Sequence, residues 1–153
     1  LADFAVNVFL DSVRFEAAID RLSEGVSAGA RNGNRAAAEY IKDEVQRVLA
    51  LFPHPRTEPS MTLPYKGPPG FITGHLHDEV HVTHPLTGTS KVTASAVYAR
   101  IQEFGGWAGT DHMTRIPPRP YFRPVVTSLS TVGELEHIYA EEWRVAMMTA
   151  VLF

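Results

Sequence analysis

The chain has no cysteine. That absence removes disulfides, thiolate zinc sites and cysteine nucleophiles, and leaves histidine and carboxylates as the side chains able to hold a metal. There is no basic excess: 14 Lys and Arg stand against 17 Asp and Glu, for a net charge of −3, with a pI near 6.2. A surface that grips nucleic acid by displacing counterions needs clustered cations, which this composition does not favour. The longest apolar run, "VAMMTAVLF" at 145–153, is too short for a bilayer span. The first residues lack the basic-then-apolar order of a signal peptide, so no membrane or secretory address is expected. Enzyme signatures are missing too. There is no G-x-S-x-G elbow, and "GGWAG" at 105–109 lacks the Lys-Ser/Thr of a phosphate loop. Asp111-His112 has no marked serine partner.

What is present fits one ordinary domain. Over 153 residues, 44% are hydrophobic and 20% charged, enough apolar material for a core and too little charge for a disordered acidic chain. "FAVNVFL" (4–10) has the composition of a strand. Helical spacing follows from Asp11, and the three glycines of "GVSAGARNGN" (25–34) predict a break or kink near Asn32-Gly33. "RAAAEYIKDEVQRVLALF" (35–52) is the clearest helix, with Ala37, Ile41, Val45, Val48 and Phe52 on one apolar face and prolines at its end.

The segment 53–70 carries Pro53, Pro55, Pro59, Pro64, Pro68 and Pro69, and so reads as a long loop rather than a helix or central strand. "HLHDEVHVTH" and "SKVTASAVYA" flank the Pro/Gly turn 85–88 as a β-hairpin. "VYARIQEF" (97–104) reads as a short helix with Gly105-Gly106 as its C-terminal cap. Tyr98, Ile101 and Phe104 fall on one side of it, toward the sheet. "IPPRPYFRP" (116–124) is stiffened into an extended strap. A last helix is expected from Thr131, where "TVGE" fits a capping box. The expected class is α+β: a small antiparallel sheet with a β-hairpin, packed against a long helix and a C-terminal helix.

Four of the seven histidines lie in "GHLHDEVHVTH" (74–84). Read as a strand from 75, His75, His77, Glu79 and His81 share one face, while Leu76, Val80 and Val82 share the other. His-x-His on a strand could present two imidazoles to one metal ion, with Glu79 or His81 as a third ligand; a His/carboxylate hydrolase centred on His75, His77 and His81 is therefore one reading. The other is a half-buried strand whose histidines face solvent or a subunit contact.

Two segments together carry a resemblance. "VYARIQEFGG" (97–106) precedes "IPPRPYFRPVV" (116–126), with "TG-x-L" at Thr73, Gly74 and Leu76 upstream. This order resembles a family of tailed-bacteriophage head–tail joining proteins, described as tail-completion, tail-terminator or neck proteins. Tyr98, Ala99, Glu103, Phe104 and Gly105 match its first element, and Pro117, Arg119, Pro120 and Pro124 its second, with Tyr121 where Phe is usual. The long proline loop and the extra length between Gly106 and Ile116 depart from the pattern.

The resemblance implies a non-enzymatic structural protein of the virion, made in the host cytoplasm. It implies a ring, of six copies, at the head–tail interface between connector and tail tube, with DNA passing through the lumen without specific binding. No cofactor, metal or membrane is expected. Candidate subunit or partner contacts are Glu103, Arg119, Tyr121, Arg123, His75, His77, His81, Tyr65 and Phe153. Arg and Tyr on a stiff strap are suited to such contacts. A small binding module unrelated to virions is the third reading.

Overall fold

In the computed structural model, residues 12–51, 67–86 and 88–152 are described. The elements run α1 (Ser12–Ala50), α2 (His75–Asp78), β1 (Val80–Thr83), β2 (Lys91–Ala94), α3 (Ala99–Phe104), β3 (Gly106–Ala108), β4 (Thr114–Ile116), α4 (Arg123–Thr127) and α5 (Leu129–Leu152). The expected strand at 4–10 lies outside the described residues, as do most of the loop 53–70, Tyr65 and Phe153. The class is α+β, with two small antiparallel pairs of strands, β1–β2 and β3–β4.

Helix α1 is continuous for 39 residues, and the break expected near Asn32-Gly33 does not occur. Gly25, Gly29 and Gly33 sit four residues apart, so they line one stripe of the helix. Helix α5 lies antiparallel along that stripe. A Cβ on Gly25 would come 2.9 Å from the Ala150 Cβ, one on Gly33 would come 2.5 Å from the Tyr139 ring, and one on Gly29 would overlap the Trp143 ring. Each glycine costs a helix about 1 kcal/mol relative to alanine. Close approach of α5 is what fills the space they leave. The glycines that suggested a break are thus a docking stripe. Asn34 ties the same region together: its Nδ2 donates to the Gly88 carbonyl (2.8 Å), and its Oδ1 accepts the Tyr139 hydroxyl.

The second half of α1 carries the core, as its spacing predicts. Val45 and Leu49 are buried with Leu76, Val80, Ala96, Ala99, Tyr121 and Val125, and Ile41 and Val48 pack at the edge of this cluster. The β1–β2 hairpin lies against α1 in the register Val80↔Ala94 to Thr83↔Lys91.

The strand begins at Val80, not at His75. Gly74, at φ +77°, opens a helical turn in which the Asp78 N–H donates to the Gly74 carbonyl (2.9 Å) and the Glu79 N–H to the His75 carbonyl (3.0 Å). Leu76 and Val80 are four apart, so this buried pair satisfies the helical period as well as the strand period.

Two further corrections concern the C-terminal third. The β3–β4 hairpin was not anticipated: Trp107 and Arg115 pair across it and are both exposed, so no apolar alternation announces it. Helix α5 starts at Leu129 rather than Thr131. Its cap is Ser128, in extended conformation, whose Oγ accepts the Thr131 N–H (3.1 Å) and donates to the Thr131 hydroxyl (2.7 Å). Thr131 is therefore inside the first turn, and the capping box with Glu134 is not formed. Among the described residues no helix is long and apolar enough to cross a membrane.

Candidate assembly surface

Helix α3 turns Ala99 and Glu103 inward. The expected inward face of Tyr98, Ile101 and Phe104 is not the buried one: Phe104 is 67% exposed and Tyr98 39%. The reason lies with Glu103. Its Oε2 accepts the N–H groups of Tyr121 (2.9 Å) and Phe122 (3.0 Å), and its Oε1 accepts that of Arg123 (2.9 Å). These donors lead into α4, where the first backbone N–H groups have no partner within the helix. Pro124, in the first turn, has no N–H to satisfy. The strap is therefore extended only as far as Pro120, and then bends into a helix whose start is held by a carboxylate from another element.

A second link supports the first. The Arg119 N–H donates to the Gln102 carbonyl (2.7 Å). Gly105 ends α3 at φ +70°, and a Cβ there would sit 2.8 Å from the Pro118 nitrogen, so only glycine lets the strap cross the helix end. The elements around Glu103-Phe104-Gly105 and around Arg119–Pro124 thus form one physical unit.

The strap residues separate by position. Tyr121 is 2% exposed and belongs to the core, with its hydroxyl donating to the Ala99 carbonyl (3.4 Å). It is not the surface anchor expected from sequence. Burial, then the negative charge of Glu103 and the neighbouring Tyr98, push its phenol up to about 12. Arg119 is also buried, at 5% exposure. It lines a cleft of ≈ 260 Å³ together with Leu49, Phe71, Leu76, Tyr98 and Gln102. Arg123 is exposed and borders an open groove of ≈ 440 Å³ formed with Arg100, Phe104, Phe122 and Val126. Arg100 and Val126 were not singled out by the sequence reading, and Phe104 was expected to face the sheet rather than the rim. The signal for Phe104 was its place just before the glycine that ends α3, where the helix stops and the side chain is left at the rim.

The histidines do not converge. His75 and His77 lie on the α2 turn and His81 on β1, so the shared strand face assumed for a metal site is absent. His75 lies near Tyr98 with the two rings tilted at 51° and their centres 6.0 Å apart. His77 pairs with Asp78 (2.8 Å) and meets the Phe71 ring. His81 contacts the Glu79 carbonyl (3.1 Å) and the Ser95 hydroxyl (3.3 Å), and His84 contacts the Ser90 hydroxyl (2.9 Å). Among the described residues no group of three or more His, Asp and Glu side chains is placed to hold a metal ion.

No family model matches the chain, and no curated protein or solved structure matches it.

Proposed function

We propose that this chain is a non-enzymatic structural subunit of the tailed-phage neck, assembling as a ring of six copies that completes or terminates the tail and joins it to the head connector. The observation that carries the proposal is the Glu103 unit. The two sequence elements on which the resemblance rests meet through three hydrogen bonds from the strap backbone to one buried carboxylate. An acceptor engaged by three successive backbone donors serves architecture: it fixes the strap, and with it the rim formed by Arg100, Phe104, Arg123 and Val126. A rim pairing apolar side chains with arginine has the chemistry of a subunit contact. Ring closure requires that this surface meet a different patch on the next copy. The hairpin, with His81, and the α2 turn, with His75 and His77, are the opposing candidates. A net charge of −3 suits a lumen through which DNA slides.

The test is the position and copy number of the chain in intact particles, read by electron microscopy and by cross-linking from a cysteine placed at Arg123. A ring at the head–tail junction, cross-linked to itself and to connector or tail-tube neighbours, is the expected result. Monomers alone, both in purified protein and in particle lysates, would sink the proposal.

A further inference from the structure

The first half of α1 has α5 as its companion, and α5 covers only part of its apolar surface. Phe15, Ile19, Leu22, Val26, Gly29 and Gly33 follow one another at alternating four- and three-residue steps, the spacing of a seam that seats a second helix. Helix α5 occupies the glycine side of that seam. Phe15, Ile19 and Val26 remain 56%, 49% and 49% exposed. With a turn of 100° per residue, they fall on the same side of the helix pair as Trp143 and Val151 of α5, themselves 50% and 69% exposed. Arg14, Arg21, Glu24 and Arg35 fall on the other side of α1. The first face is thus the richer in large apolar side chains, and the charged residues of this part of α1 lie mainly on the other.

We infer that this face binds the same face of a second copy of the chain, as a two-fold pair that makes a four-helix layer. Three features point to a second copy as the occupant. The first is self-complementarity. A mainly apolar groove on the same face is formed by Val132, Leu135, Glu136, Tyr139, Ala140 and Trp143. Since Gly33 lies beside Tyr139 and Gly29 beside Trp143, the groove stands level with the stretch of α1 around Arg35. Phe15 and the groove are then each about 15 Å from Val26, on opposite sides, at 1.5 Å per residue. A two-fold axis at Val26 places Phe15 of each copy over the groove of the other, as an isologous contact requires.

The second feature is size. About 30 Å of paired helix, near 20 Å wide, plus the turns of α1 that carry Phe15 and Ile19, gives roughly 700 Å² per copy, close to the ≈ 800 Å² of a standard stable interface. The third is chemistry: the face is led by large apolar side chains, Phe15, Ile19, Val26, Trp143 and Val151, with Glu136 as the charged residue at its groove, the apolar centre and polar margin that subunit contacts show. This contact uses none of the rim around Arg123, so it stands or falls apart from the neck reading.

Sedimentation velocity on the full chain across a micromolar dilution series tests it. Dimer is expected. Val26→Glu and Ile19→Glu should each weaken dimerisation at least about thirtyfold, while Arg21→Glu on the polar side should stay within about twofold. These positions are exposed in the single chain, and unchanged circular dichroism will show that the fold is kept. The absence of native cysteine allows a second measurement. Phe15→Cys and Ala140→Cys, prepared separately and mixed, should give a two-chain product with a short bis-maleimide. A monomer at every concentration, self-association indifferent to both glutamate variants, or no mixed product would each overturn the inference.

Discussion

Glu103 and Tyr121 hold one another in place. The carboxylate accepts the Tyr121 backbone N–H at 2.9 Å, and the Tyr121 ring, 2% exposed, packs into the core. Breaking this relationship at the carboxylate should be costly. Glu103→Ala leaves the N–H groups of residues 121–123 without their acceptor, and should destabilise the fold by about 3 kcal/mol; Glu103→Gln, keeping one oxygen, should cost roughly half as much. Urea unfolding measures both. If Glu103→Ala melts like the wild type, the strap is held by something else.

The tyrosine gives a pH signature. Its phenol is raised to about 12, first by burial and then by Glu103 and Tyr98. In the unfolded chain it ionises near its ordinary value of about 10. The neutral form is the one the fold accommodates, so this contribution is intact below about pH 10 and is lost as pH rises from there through 12. Ultraviolet titration should show one tyrosine ionising late, together with unfolding. Tyr121→Phe should remove that late step and flatten the alkaline loss of stability.

At Gly29 the expected sign is opposite to that of an ordinary helix. Alanine for glycine at an unobstructed helical site stabilises by roughly 0.5–1 kcal/mol. Here the added carbon would overlap the Trp143 ring, so Gly29→Ala should destabilise by about 1–3 kcal/mol through overpacking. Combining it with Trp143→Ala should cost less than the sum of the two single changes, because the second removes what the first strikes. A stabilised Gly29→Ala would mean that α5 does not lie on this stripe.

Chelation should do nothing. His75, His77 and His81 each face different neighbours, so dialysis against EDTA followed by thermal melting should leave the midpoint within about 1 °C, with no stoichiometric metal by elemental analysis. A bound transition metal lost on replacing His75 and His77 by alanine would revive the hydrolase reading.

Much of the fold could be read from spacing. The helix carrying Ile41, Val45 and Val48, the hairpin around residues 85–88, the short helix ending at Gly105 and a helix near the C-terminus all follow from local periods and punctuating residues. Several of the errors share a cause, partners distant in sequence, and others are local ambiguities of period. Glycines at 25, 29 and 33 look like breakers until α5 is laid on them, and no local pattern says that it will be. Glu103 looks like a surface carboxylate on a short helix until the strap supplies three N–H groups. Leu76 and Val80 fit two periods equally, and Gly74 decides between them by taking φ +77°. Tyr121, flanked by prolines and arginines, has the company of a surface residue and the environment of a core one.

The glycine stripe also sets a timetable. The α1–α5 pair joins Asn34 to Tyr139, 105 positions apart, whereas the strap joins Tyr121 to Glu103 across 18. Shorter loops close at lower entropic cost, and local contacts form sooner. As the polypeptide leaves the ribosome, the Glu103 unit can therefore lock while α1 still waits, its groove bare, for the helix that emerges last. Until α5 emerges, that groove is open to any other helix in the vicinity.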